Sequence, residues 1–119
     1  MDDVVDLDLA VSEIKRRAAS WRLSGISVGD VTWREQGEGW PPTLKSDRSQ
    51  VVDADSIGVQ LRKDQQVGEV VLFKGGWCDV AYWSGEQDSE PMQDTPGYPG
   101  TLTVESFGGV LDRLAAQFR

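Results

Sequence analysis

The chain has 119 residues, a size that suits one domain, residues 1–119, with a single modest hydrophobic core. Its 20 acidic and 12 basic residues give a formal net charge of −8, which disfavours nucleic acid and anionic membrane surfaces and favours a cationic partner. Because the chain has no histidine, it lacks the commonest general base and metal ligand, so we expect no enzyme activity, no cofactor and no metal.

The composition also predicts where the protein works. No apolar run approaches the roughly 20 residues of a membrane span, and the N-terminus, MDDVVDLDLA, has acids where a secretory signal needs bases. We therefore expect a cytoplasmic protein without membrane contact. Cys78 is the one cysteine, so no internal disulfide can form, and a small buried apolar role is its simplest interpretation.

The first predicted element is an amphipathic helix from Asp6 to Arg22. Its acidic residues come early and its basic residues late, as the helix dipole favours, and Gly25 is a suitable stop. The apolar residues with helical spacing, which we expect to be buried, are Leu7, Ala10, Val11, Ile14, Ala18 and Trp21.

Period-two patterns follow. The pattern predicts one strand over 27–35, with Val31 and Trp33 on one face, and another over 56–63. VVLFKGGWCDVAYW, residues 70–83, then predicts a hairpin in which Gly75 and Gly76 form a two-residue type I′ turn.

The length of that turn determines the predicted faces of the hairpin. A two-residue turn places Phe73 opposite Cys78 and Val71 opposite Val80. One face then carries Val71, Phe73, Cys78, Val80 and Tyr82. The other, a mixed polar and aromatic face, carries Val70, Leu72, Lys74, Trp77, Asp79, Ala81 and Trp83.

Two long irregular stretches, 37–50 and 84–100, precede a second amphipathic helix in the last residues, with Thr103 as its cap. Gly108 and Gly109 weaken the start of this helix; either the backbone there packs closely on the sheet, or the helix begins after them. The predicted fold is α+β: an N-terminal helix, a mostly antiparallel sheet of about four strands and a C-terminal helix, in a two-layer sandwich.

The charge distribution points to a binding surface. From Gly75 through Asp112 there are seven acidic residues and no lysine or arginine. A solvated loop is the commoner explanation for such a run, but aromatic side chains among the acids are typical of a protein interface. Glu86, Asp88 and Glu90 alternate like calcium ligands, yet Pro91 stands where an EF-hand needs glycine.

The tryptophans divide into two groups. Trp21 and Trp33 are predicted core residues, whereas the others lie on the mixed hairpin face or in a loop. The residues predicted to bind a partner are Trp40, Trp77, Asp79, Trp83, Glu86, Asp88, Glu90, Asp94 and Tyr98.

The block GEVVLFKGGWCDVAYWSG, the acidic loop after it and LTVESFGGVLDRLAAQF resemble the small immunity proteins of bacterial polymorphic toxin systems. Within that group the chain resembles the TriTu family, which protects against ADP-ribosylating toxins. The resemblance implies a small, acidic, cytoplasmic, non-catalytic protein that covers the active site of a cognate toxin domain. It supplies no catalytic residue.

Two other functions stay open on the sequence. An acidic secretion chaperone or adaptor would dimerise and hold an extended effector segment, whereas an immunity protein is expected to be a monomer. An enzyme or small-ligand protein would have a deep pocket with a strongly perturbed carboxylate.

Overall fold

A computed structural model describes residues 5–37, 39, 41 and 43–119. Over these residues the fold is α+β, with an antiparallel sheet of six strands between two helices in the chain order. Helix α1 spans Leu7–Leu23 and helix α2 spans Val104–Ala115. The strands are β1 (Ser27–Val28), β2 (Thr32–Glu35), β3 (Ala54–Lys63), β4 (Gln66–Phe73), β5 (Trp77–Trp83) and β6 (Met92–Asp94).

The sheet has more strands than the four predicted. The expected strand over 27–35 is divided into β1 and β2, which lie end to end along the same edge of β3. One additional residue between Val28 and Thr32 shifts the register, and this shift turns Trp33 towards the core opposite Ile57. Strand β6 lies inside the predicted loop 84–100, where it pairs with β5 at the sheet edge.

The structure confirms the predicted N-terminal amphipathic helix as α1. The Asp6 side chain accepts a hydrogen bond from the backbone N–H of Leu9 at 3.1 Å, so the helix begins one residue later than the pattern indicated. All six residues of the predicted apolar stripe are buried. Gly25 has φ of +84° immediately after the C-cap Ser24, a conformation that favours glycine.

Helix α2 begins at the predicted cap. Thr103 and Ser106 form a reciprocal capping box. Neither alternative for the glycine pair is correct, because the helix contains both residues and Gly108 faces α1. A Cβ atom on Gly108 would lie 2.8 Å from a guanidinium nitrogen of Arg17, whose Nε donates to Asp112 at 2.7 Å.

The Arg17–Asp112 ion pair should make stability depend on pH. The hydrogen bond from Arg17 lowers the pKa of Asp112, so its contribution is present above the unfolded pKa of about 3.9 and is lost as pH falls through the lower folded pKa. We expect Asp112→Asn to cost up to about 1 kcal/mol at pH 7, and the difference from wild type to vanish at acid pH. Urea denaturation across pH measures this. A pH-dependent cost of Asp112→Asn that persists in an Arg17→Gln background would contradict the assignment.

The core lies between one face of the sheet and both helices. Gly68 lets α2 approach β4 closely, since a Cβ atom there would lie 2.9 Å from the Phe118 ring and 3.1 Å from Leu114. Cys78 is fully buried in this core, and desolvation raises the pKa of its thiol to about 12. The thiol therefore stays protonated, as expected of a small apolar residue.

The hairpin differs from its prediction by one residue. Its loop has three residues, Lys74 to Gly76, so Phe73 pairs with Trp77 and Leu72 with Cys78. Gly76 takes φ of +96°, which a three-residue hairpin loop requires of its last residue.

The longer loop shifts the pairing by one residue and so exchanges the predicted faces of β4. Val70 and Leu72 point into the core, whereas Val71 and Phe73 point outward. The predicted faces of β5 are confirmed: Cys78, Val80 and Tyr82 lie on the core side. The opposite side of β5 carries Trp77, Asp79, Ala81 and Trp83.

Neither described helix combines the length and apolar character that a membrane span requires.

Candidate functional site

The candidate site is the face of the sheet that points away from the helices. In the described ranges no helix packs on this side, which we call the open face. It consists of the outward residues of the three central strands together with their neighbours on β2 and β6. The outward residues of β4 and β5 are Val67, Glu69, Val71, Phe73, Trp77, Asp79, Ala81 and Trp83.

An aromatic cluster lies at the hairpin end of the open face. The rings of Phe73 and Trp77 stack with their centroids 4.3 Å apart, and Tyr98 meets Trp77 edge to face at 5.2 Å. Tyr98 is 65% exposed, and the other two rings are half-buried. Their mutual packing holds the three rings in place before any partner arrives.

Close backbone packing positions Tyr98 in this cluster. Gly97 has φ of +82°, and a Cβ atom there would collide with the Leu102 side chain and lie 2.8 Å from the carbonyl oxygen of Gly76. The N–H of Leu102 donates to that same oxygen at 2.8 Å. The segment that carries Tyr98 is thereby held against the hairpin loop.

Trp83 lies at the opposite end of the open face. It is 38% exposed and borders a hollow of about 270 Å³ with Val67, Ala81 and Pro91. Its indole Nε1–H donates to the carbonyl oxygen of Ser89 at 3.2 Å. This bond ties the acidic loop, residues 84–91, to the end of β5.

The acidic loop has a defined position. The hydroxyl groups of Ser84 and Ser89 lie 2.7 Å apart, and Ser89 also donates to the carbonyl oxygen of Glu86 at 2.8 Å. Gly85 has φ of +86°, and a Cβ atom there would collide with Gln65 in the turn between β3 and β4. The loop therefore lies directly against that turn, and only glycine fits at the contact.

Two carboxylates lie between the aromatic ends of the open face. Glu69 and Asp79 are exposed, and no cation of the described residues lies within 4 Å of either carboxylate. Lys74 is in the hairpin loop, but its ammonium group contacts Gln36 and lies 3.6 Å from Asp53. Within the described residues, no ion pair therefore neutralises the carboxylates on the β4–β5 half of the face.

Glu69 has a central place on this face. It borders the hollow beside Trp83, a second hollow of about 300 Å³ near Asp79, and a third of about 390 Å³ above Gly58. The sequence did not single out Glu69, because the predicted register placed it on the wrong side of β4. The signal that could have found it is Lys74, which extends the glycine pair into a three-residue loop.

The structure brings most of the predicted binding residues together. Trp77, Asp79 and Trp83 share the open face, and Tyr98 completes the aromatic cluster at one end. Three further predicted binding residues are exposed on the acidic loop next to Trp83: Glu86, Asp88 and Glu90.

One predicted binding residue does not lie on this surface, and another cannot be placed on it. Asp94 pairs with Val80, a core-side residue, and therefore lies on the helix side of the sheet, away from the open face; its role in partner binding stays a prediction. Trp40 lies outside the described residues.

Carboxylates with shifted pKa values lie away from the open face. Backbone N–H groups of Val52 and Asp53 donate to Glu35 and lower its pKa. The hydroxyl group of Ser49, and then its backbone N–H, donate to Asp47 and lower the pKa of that carboxylate. Both shifts favour the ionised form, which suits a structural acceptor and not a proton donor. Within the described residues, no three carboxylate or cysteine side chains are grouped to hold a metal ion.

Comparison of the chain with protein-family models, with curated proteins and with solved structures finds no match.

Proposed function

We propose that this chain is a cytoplasmic immunity protein that binds a cognate secreted bacterial toxin and covers the toxin's active site. The observation that carries the proposal is the open face, where two carboxylates that make no ion pair among the described residues lie between an aromatic cluster and the partly exposed Trp83. An exposed patch of contiguous apolar surface on a soluble domain commonly marks a site that another molecule covers.

The aromatic rings would supply most of the binding energy. A tryptophan or tyrosine buried at the centre of an interface commonly contributes 2 kcal/mol or more to affinity. Because Phe73, Trp77 and Tyr98 already pack on one another, they lose little side-chain freedom when a partner covers them.

The carboxylates would supply specificity and speed. A toxin that acts on NAD or on nucleic acid needs a cationic cleft for the phosphates of its substrate. The acidic loop and the acidic half of the open face complement such a cleft and repel the phosphates that normally enter it. Complementary charge also accelerates association, which lets an immunity protein capture a toxin before it acts.

Charge reversal in the acidic loop tests the proposal. The candidate partner to test is the protein encoded directly upstream, and it is used if co-expression rescues growth and yields a stoichiometric complex. We expect Glu86→Lys, Asp88→Lys and Glu90→Lys together to lower the association rate constant by roughly 10- to 100-fold in stopped-flow measurements at low salt.

A neutral triple variant, with Gln, Asn and Gln at the same positions, is the matched control for loop shape. It should fall between the wild type and the lysine variant, and all three rates should converge near 1 M salt, where charges are screened within about 3 Å. Association rates that do not differ at low salt would refute the role of the acidic loop. A failure of co-expression to rescue growth would refute the immunity function itself.

A further inference from the structure

We propose that the hollow beside Trp83 receives one arginine side chain of the partner protein and that Glu69 receives its charge. The inference rests on the proposed function, because it names the group through which a basic protein partner would be recognised. Nothing in the sequence assigned this role to Glu69.

The lining of the hollow matches the two parts of an arginine side chain. Its walls are formed by Val67, Ala81, Trp83 and Pro91 and by part of Tyr82. Glu69 is the one charged residue among the residues that border it. Apolar walls suit the aliphatic stem of arginine, and a single carboxylate suits the guanidinium group at its end.

The indole ring is prepared for a cation. Its N–H is already bonded to the carbonyl oxygen of Ser89, which holds the ring in one orientation. Its exposed part leaves room for a planar guanidinium group to stack, a contact that arginine makes more readily than the strongly hydrated ammonium of lysine. The carboxylates of the neighbouring acidic loop also favour a cation at this position.

The protein's own arginine beside the hollow does not fill this role. Arg62 lies opposite Val67 on the open face, but its Nε donates to Gln60 at 3.2 Å, and it makes no ion pair with Glu69. The positive charge of Arg62 therefore repels an incoming cation. Replacement of Arg62 with Gln should strengthen the binding of an external arginine.

A peptide titration of the full chain tests this site without the toxin. The probe is acetyl-Gly-Arg-Gly-amide, and the reporter is the Trp83 indole N–H signal in nitrogen-15 NMR spectra, assigned by its loss in Trp83→Phe. We expect a saturable shift with a dissociation constant on the order of 1–10 mM, as suits one side chain. A peptide with citrulline, which has the shape of arginine without its charge, should bind at least about tenfold more weakly.

Two substitutions distinguish a specific contact with Glu69 from a general effect of the negative charge on the open face. We expect Glu69→Gln to weaken arginine-peptide binding about tenfold, and Asp79→Asn, an exposed carboxylate of the same face that does not border this hollow, to change it less than about twofold. Equal binding of the two peptides, or equal effects of the two substitutions, would overturn the proposal. Spectra that overlay with wild type show that each variant keeps the fold.

The two proposals can fail separately. Peptide binding without growth rescue by co-expression would refute the immunity function and support the arginine site. Toxin binding that is unaffected by Glu69→Gln, with no response to the arginine peptide, would refute the arginine site alone.

Discussion

Gly97→Ala is expected to lower the free energy of unfolding by about 2–4 kcal/mol, because the site excludes a side chain in two ways. Its φ of +82° is unfavourable for alanine, and the added methyl group would collide with Leu102 and approach the carbonyl oxygen of Gly76. Denaturation in urea, followed by circular dichroism, measures the loss. The same change should displace Tyr98 from Trp77.

Gly75→Ala, in the adjacent hairpin loop, is the matched control. A Cβ atom there would meet no described atom within 4 Å, and Gly75 does not have positive φ. Its cost should therefore stay within about 0.5 kcal/mol of zero. Equal losses in the two variants would show that the hairpin loop and the Tyr98 segment do not pack as described.

Trp21→Ala and Trp83→Ala are expected to differ in stability by several kcal/mol, although the chemical change is identical. Trp21 is 6% exposed in the core, so its truncation should cost about 3–5 kcal/mol through lost burial and the cavity left behind. Trp83 is 38% exposed on the open face, and its truncation should cost about 1 kcal/mol or less.

Denaturation in guanidinium measures the free energy of unfolding of the two tryptophan variants, which are compared where both have the same dependence on denaturant concentration. A loss near 4 kcal/mol would be a large part of the stability of a domain this size. Comparable losses in both would place Trp83 in the core and remove the physical basis of the open face. A stable Trp83→Ala protein would then be the reagent for testing toxin affinity without a folding defect.

Local signals in the sequence were sufficient to predict both helices and where each begins. Each helix has a capping side chain at its start, Asp6 or Thr103, and apolar residues at helical spacing. These signals act within one or two turns of chain, so no distant contact is needed to interpret them. The outward side of β5 was likewise predicted, because the residues that alternate with Cys78, Val80 and Tyr82 form a mixed set that includes the charged Asp79.

The local sequence pattern could not predict which face of strand β4 is buried. Residues 70–73 are apolar without interruption, so period two does not distinguish the core face from the open face. The choice depends on whether the hairpin loop has two residues or three. In the folded chain, α2 packs on Gly68 and so places Val70 and Leu72 inside.

The amino-acid sequence by itself therefore determined the composition of the site: its acidity, its tryptophans and most of its candidate residues. Only the tertiary structure decided their arrangement, because the face on which a side chain lies depends on register with a neighbouring strand. That register brought Glu69 to the centre of the open face, placed Asp94 on the opposite side and formed β6 from three residues too few to show a pattern.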